Sequence, residues 1–302
     1  MVNQEFLKKI YCAPKGSLGN QLFQISYGLL RAHRFNSDLV LDDGWFRGRR
    51  YKSETVRQFC LPYFKHHYRL PCRRERLLLA LMDFGLKLQK RICWRLLPIH
   101  FDRLPLSEWR LSREPWVVVQ GDWQDFALVA PWRIQLQQLF RFRDGLFSDE
   151  HQHRVAAIVT DPASVAVHVR RGDYVLNSNA AAVHGVCPLD YYEKALAAVR
   201  QKLGAPHVYL FSDDLDWALR ELPLQGIHVT AVDSSQAEIP SLADLADFDL
   251  MRHCKHAVIA NSSFSWWAAF LLQTPESLVI APKQWFVKGS SIQIYDPEWL
   301  LI

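Results

Sequence analysis

The sequence predicts an α/β protein built from two facing domains, each a parallel sheet covered by helices. Three observations carry that prediction. Short β-branched runs alternate with amphipathic helical stripes through the C-terminal half. The N-terminal half opens with the same strand, turn, helix and strand order. Polar clusters stand directly after the expected strands, where open α/β sheets bind their ligands. At 302 residues the chain accommodates two domains of about 150 residues each. The polar stretch "RDGLFSDEHQHR" places the boundary so that 1–150 and 151–302 form the two halves.

In the N-terminal half, "KIYCA" reads as a strand, "GSLGN" as a glycine turn, "QLFQISYGLLRAHRF" as a helix and "DLVLDD" as a second strand. The segment 44–114 is irregular and basic, and fits insertions around the sheet. "WVVVQ" (116–120) returns as a strand before "GDWQDF". In the C-terminal half, "SVAVHV" (164–169) is a buried strand. "LDYYEKALAAVRQKLG" follows as a helix with Tyr192, Ala195, Leu196, Val199 and Leu203 on one stripe and Gly204 just past its end. "HVYLF", "GIHVTAV", "AVIA" and "SLVIA" are further strands. "DLDWALREL", "SLADLADFDLMRHC" and "SSFSWWAAFLLQ" are the helices among them. Short apolar strands of this kind belong to a sheet buried on both faces.

Composition narrows the function classes. Hydrophobic residues make up 49% of the chain, which suits a packed globular protein, and most of its eleven tryptophans are expected in cores. The net charge of +5 is concentrated: between Arg47 and Arg113 seventeen lysines and arginines face five acidic residues. Such a lobe attracts phosphate, anionic lipid or nucleic acid. Nucleic acid is disfavoured because no helix-turn-helix, zinc-finger or RNA-binding signature accompanies the charge. Six cysteines without a Cys-x-x-Cys pair favour reduced thiols over disulfides or zinc. The N-terminus lacks the apolar core of a signal peptide, and no run of about 18 apolar residues exists. The expected placement is therefore cytoplasmic. The stretch 76–97 reads first as an amphipathic helix packed on its domain, and second as a peripheral contact with the inner face of a membrane.

Four clusters carry the chemistry. In "HVRRGDY", His168 and Arg170 share one face of a strand end, and a guanidinium matches phosphate oxygens bidentately. Alternatives are a solvated arginine turn, a satisfied core histidine, or an adhesion tripeptide at Arg171-Gly172-Asp173. "FSDD" offers Asp213 and Asp214 to a metal, a ribose hydroxyl or a helix N-terminus, but no ring of acidic residues for a metal surrounds them. In "NSSFSWW", Ser262, Ser263 and Ser265 cap a helix or present its N-terminal N–H groups to an anion. Asn261-Ser262-Ser263 also spells a glycosylation sequon. "KGSLGNQ" is a tight glycine turn that falls short of a dinucleotide or P-loop fingerprint.

The ordered set "GSLGNQLFQ", "GDWQDF", "HVRRGDY", "FSDD" with Trp217, and "DFDLMRHCKHAVIANSSFSWWAAFLL" resembles the α-1,2-fucosyltransferases, glycosyltransferase family 11, and within them the bacterial, soluble type. The resemblance spans about 8–285 and is strongest at 16–24, 165–174 and 244–270. It implies two facing Rossmann-like domains of the GT-B type: an acceptor-side N-terminal domain with a basic helical insertion, and a C-terminal domain that binds GDP-fucose. It implies inverting, metal-independent transfer from GDP-β-L-fucose to the 2-hydroxyl of a terminal galactose, without a cofactor.

Roles follow by matching position. Arg170 is expected to grip the pyrophosphate and stabilise departing GDP. His168 contacts the nucleotide, and Arg171 supports that loop or makes a second phosphate contact. Asp247 reads guanine, Asp213 lines the donor site, and Ser262 and Ser263 bind phosphate. Gly16 and Asn20 approach the donor from the other domain. Asp122 stands where family members more often carry an aromatic residue. The general base is left among Asp122, Asp125 and Asp173, with Asp173 equally read as a structural partner of the arginines.

Overall fold

The computed structural model describes residues 9–47, 57–65, 68–88, 99–102, 116–119, 121–171, 185–233, 242–272, 276–287 and 293–302. The chain divides into two compact units, Met1–Arg141 and Phe142–Ile302.

In the first unit, strand β1 (Lys9–Cys12) leads into helix α1 (Leu18–Arg34) and back to β2 (Asp38–Leu41). A four-residue helix α2 (Gly44–Arg47) precedes α3 (Arg73–Leu88), and β3 (Ile99–Asp102) and β4 (Trp116–Val119) complete a sheet of order β2-β1-β4-β3. All its pairings are parallel. Short helices α4 (Phe126–Val129) and α5 (Arg133–Leu139) close the unit. The expected glycine turn is shorter than its sequence suggested, because Gly19 and Asn20 already lie in the first turn of α1. The basic middle segment also departs from expectation. It is more than an insertion, since β3 within it hydrogen-bonds along β4 as an edge strand.

In the second unit, α6 (Asp149–Thr160) runs into β5 (Ser164–Val169), α7 (Leu189–Leu203), β6 (His207–Ser212), α8 (Leu215–Glu221) and β7 (His228–Val232). The chain then moves to the other side of β5 through α9 (Ala243–His253), β8 (His256–Val258), α10 (Ser263–Phe270), β9 (Val279–Ala281) and the short β10 (Leu300–Leu301). The sheet order is β10-β9-β8-β5-β6-β7, again parallel throughout. The second half of the polar stretch expected near the boundary, from Asp149 on, is helix. Ser148 caps α6 by accepting from His151 N, and Ile158 is the one buried residue of that helix.

β5 is buried at all six positions because it lies inside the sheet with helices over it. Val165, Val167 and Val169 pack with Leu196 and Val199 of α7 and Leu210 of β6. Burying such a side chain contributes about 1.5–3 kcal/mol. Trp266 and Trp267 of α10 have no solvent exposure, and Trp266 stacks on Phe270 and donates its indole N–H to Ile294 O at 2.6 Å. They are core residues, as their alanine-rich helix predicts. The five cysteines among the described residues are free thiols. Among the described residues, no helix is long and apolar enough to cross a membrane.

Both sheets contain a point where the strand order reverses. In the first unit it lies between β1 and β4, and in the second between β5 and β8. A crevice opens at such a point beyond the carboxyl ends of the two strands, and ligands of open α/β sheets sit there.

Candidate active site

Three of the sequence clusters emerge together at the β5/β8 reversal. Strand register sets them side by side: Val169 pairs with Ser212 on β6, and Val167 with Val258 on β8. Adjacent strands run about 4.8 Å apart, so the segments after β5, β6 and β8 leave the sheet as neighbours.

His168 and Arg170 start this edge. His168 is 5% exposed, packs against Phe264 at 5.6 Å between rings, and its Nδ1 finds no hydrogen-bond partner among the described residues. Burial, reinforced by the Arg170 charge, lowers its pKa to about 3. The ring is thus a neutral imidazole at physiological pH, able to hydrogen-bond a nucleotide but carrying no charge to it. Arg170 Nη1 pairs with Asp213 Oδ2 at 3.1 Å, and Asp213 Oδ1 accepts from the backbone N–H of Arg171 at 2.8 Å. Arg171 lies over the Trp217 ring at 3.8 Å and meets Asp214 at 3.4 Å. Asp214 also caps α8 by accepting from Trp217 N. Both aspartates of "FSDD" are therefore engaged in holding the two arginines and the helix start. A guanidinium has five N–H donors in a planar fork, a geometry that matches phosphate oxygens.

α10 begins beside this cluster. Ser262 takes an extended backbone at its N-cap, and its hydroxyl makes no capping bond to the helix. The N-terminal N–H groups of a helix without a side-chain cap, together with the positive end of its dipole, suit an anion. Ser265 is different: buried, it donates to Ala260 O and Ser262 O and secures the turn. Asn261 is buried, donates to Gly185 O and accepts from the Cys187 thiol. That burial closes the sequon to glycosylation of the folded chain. Asp247 sits half-buried on α9, the helix that packs on α10 through Phe248 and Phe264. Two residues on, Asp249 is buried and holds His151 at 3.0 Å and Arg252 at 2.8 Å, which fixes α9 against α6. Gly172 and Asp173 lie outside the described residues.

The β1/β4 reversal gathers the remaining cluster. Gly16 has φ +81°, and a Cβ there would stand 2.9 Å from Asn20 Nδ2, so both conformation and space call for glycine. Asn20 accepts from Gln124 Nε2 at 3.0 Å, tying the first turn of α1 to the loop after β4. Lys15 and Asp122 meet at 3.5 Å across the same two loops, both largely exposed. Trp123 adopts φ +42°, stacks on Tyr27 at 3.9 Å, and its indole lies so close to Gly121 that a Cβ would come within 2.7 Å. The indole is packed as a loop anchor. Asp125 accepts from Ala127 N as the cap of α4, which leaves Asp122 as the exposed carboxylate of this loop.

Sequence reasoning did not single out Gln21, Gln24 and Gln124. Gln21 and Gln24 are buried in α1, where Gln21 bonds Gly16 O and the Cys60 backbone N–H, and Gln24 accepts from Lys15 N. The available signal was two amides three residues apart, set among Leu22, Phe23 and Ile25.

The model of Glycosyl transferase family 11 matches residues 132–302. The chain is 28% identical over 311 residues to the O-antigen biosynthesis glycosyltransferase WbnK of Escherichia coli, covering 96% of this chain and 99% of the relative. It is 27% identical over 306 residues to an alpha-1,2-colitosyltransferase of Escherichia coli, covering 95% and 96%. A galactoside alpha-(1,2)-fucosyltransferase 1 of Homo sapiens is 26% identical over 61% of this chain and 50% of its own length. Among solved structures, the fucosyltransferase NodZ from Bradyrhizobium superposes with a TM-score of 0.52 at 15% identity, covering 91% of this chain and 94% of the other. POFUT1 in complex with GDP gives 0.51 at 13% identity, covering 91% and 98%. These likenesses establish the fold as the two-unit α/β GT-B class.

Proposed function

This chain belongs to glycosyl transferase family 11, and we propose that it transfers L-fucose from GDP-β-L-fucose to the 2-hydroxyl of a terminal β-galactose on a surface glycan. The observation that carries the reading is the placement of Arg170, neutral His168 and the α10 N-terminus at one strand-order reversal. That combination of fixed cation, uncharged hydrogen-bonding ring and helix dipole suits a nucleoside diphosphate.

Transfer with inversion is a displacement at the anomeric carbon. The acceptor oxygen forms its bond on the face opposite the nucleotide, and the bond to the β-phosphate oxygen breaks. Negative charge then grows on the leaving GDP. Arg170 and the helix N–H groups meet that charge without rearranging, which is the work a divalent metal performs in other transferases. Asp247 supplies a carboxylate acceptor suited to the N1–H and N2–H₂ donors of guanine. The acceptor proton passes to a carboxylate, for which Asp122 is the exposed candidate in the first unit; Asp173 lies outside the described residues. No metal or other cofactor is required in this scheme.

A second reading keeps the fold and the nucleotide site but changes the sugar. It is favoured by the colitosyltransferase relative, which is matched over nearly its whole length. The test mixes purified protein with GDP-fucose or GDP-colitose and galactose-terminated acceptors, with and without a chelator, followed by linkage analysis. Fuc-α-1,2-Gal formed equally well with chelator supports the reading. Absence of both product and GDP-fucose binding overturns it, and product from GDP-colitose alone establishes the second.

A further inference from the structure

Helix α3 distributes its side chains in a way that hydrophobic burial alone does not explain. Its inward arc carries Glu75 and Leu79, both buried. Its outward arc carries Arg73, Arg74, Leu77, Ala80 and Leu81, all exposed, with Leu77 62% and Leu81 57% exposed. At about 100° per residue these five positions span one continuous stripe. A carboxylate faces in while leucines face out.

The rotation of the helix is locked. Glu75 accepts from Tyr11 Oη at 2.8 Å, from Lys9 Nζ at 3.0 Å and from the Cys72 backbone N–H at 2.8 Å. Arg69 grips it bidentately at 2.7 and 2.8 Å. Arg76 is held sideways by Pro71 O and Asp43. Turning Leu77 inward would break this cluster and leave charges buried, so the outward leucines are a fixed feature of the unit. Three of the eight exposed large hydrophobic residues among the described ones, Leu70, Leu77 and Leu81, fall within twelve residues. They stand in the part of the chain where basic residues outnumber acidic ones seventeen to five.

We propose that the outward face of α3 docks on an anionic lipid surface, with Leu77 and Leu81 entering the headgroup boundary and Arg73 and Arg74 pairing with lipid phosphates. Charge complementarity selects this occupant. A helix bearing leucines flanked by arginines gains from both apolar insertion and attraction to anionic headgroups, whereas a second copy would bring the same basic face against itself. The proposal is independent of the transfer reaction, since none of these residues belongs to the candidate active site.

Co-sedimentation of the full chain with vesicles tests it, using phosphatidylglycerol mixed with phosphatidylcholine against phosphatidylcholine alone. Selective binding to the anionic vesicles, weakened by salt, is expected. Arg73→Gln/Arg74→Gln should lower the partition coefficient about 30-fold at low salt. Leu77→Gln/Leu81→Gln should lower it at least about ten-fold and remove the salt-resistant part. Ala80→Glu, on the same stripe with full helix propensity, gives a third variant should either double variant lose its native circular dichroism. GDP binding should be unchanged in all of them. Equal binding to neutral vesicles, or variants that bind as the parent does, would overturn the proposal. So would a concentration-dependent dimer that Leu77→Gln/Leu81→Gln makes monomeric, which assigns the face to a second copy.

Discussion

Arg170 Nη1 lies 3.1 Å from Asp213 Oδ2, across the neighbouring ends of β5 and β6. The same carboxylate accepts the Arg171 backbone N–H, so one aspartate sets both the guanidinium and the chain that leads away from it. In the proposed reaction Arg170 touches the leaving group and Asp213 positions Arg170. Arg170→Ala is therefore expected to lower kcat/KM by about 10²–10³-fold, the usual cost of one preorganised charge-stabilising donor. Asp213→Asn should cost less, about ten- to hundred-fold through misplacement, and chiefly as a raised KM for the donor. Steady-state kinetics with varied GDP-fucose separates the two. Equal losses in both variants would contradict the division of roles.

Asp122 and Asp125 share a loop but have different tasks. Asp125 caps α4, while Asp122 is exposed beside Lys15. Asp125→Ala should cost about 1 kcal/mol of stability with little change in turnover, whereas Asp125→Asn keeps a capping oxygen and should cost little. If Asp122 takes the acceptor proton, Asp122→Asn lowers kcat about 10²–10⁴-fold and removes the acidic limb of the pH–rate profile. Retention of that limb in Asp122→Asn would leave the role to another carboxylate. Thermal unfolding alongside rate profiles distinguishes a cap from a base.

How much of this was legible in the sequence depended on the range of the interaction. β5 was readable because burial on both faces leaves a run of apolar residues with no polar face to interrupt it. The clusters after strands were readable because strand ends and ligand crevices coincide in this fold class. β3 was hidden because an edge strand of four residues, "IHFD", carries little periodic signal. α6 carried little signal because it lies on the surface with Ile158 alone buried, so its composition resembles a linker. The engagement of Asp213 by Arg170 joins residues 43 apart in sequence, and only strand register brings them together. The same holds for Asn20 and Gln124, which meet only through the β1/β4 pairing.

Gly16 tests the first unit's reversal point. Its left-handed backbone and the close approach of Asn20 both oppose a side chain. Gly16→Ala should cost about 1–3 kcal/mol of backbone strain and displace Asn20 from Gln124. If that loop contributes to donor or acceptor binding, KM rises more than the stability loss alone predicts, measured at a temperature where the variant is fully folded. Activity and stability indistinguishable from the parent would show that the loop tolerates a side chain and has no such role.

His168 provides a pH test that needs no substrate. Its folded pKa is lowered to about 3 by burial and by Arg170, while the unfolded chain titrates near the ordinary value of 6.5. Above 6.5 both states are neutral at this residue and it adds no pH dependence. As pH falls from 6.5 toward 3 the unfolded chain gains a proton that the folded chain does not, so stability declines across that window. The slope from one such group reaches about 1.4 kcal/mol per pH unit. His253 and His256 are also lowered by burial and act with the same sign, so the parent's slope has several contributors. The informative quantity is the difference between the parent and His168→Asn, which cannot gain the proton in either state. Between about pH 7 and pH 4 the parent's urea midpoint should fall relative to that of the variant, because only the parent loses the His168 share. Parallel curves would mean that His168 titrates normally in the folded chain and is not the buried neutral ring that the donor site requires.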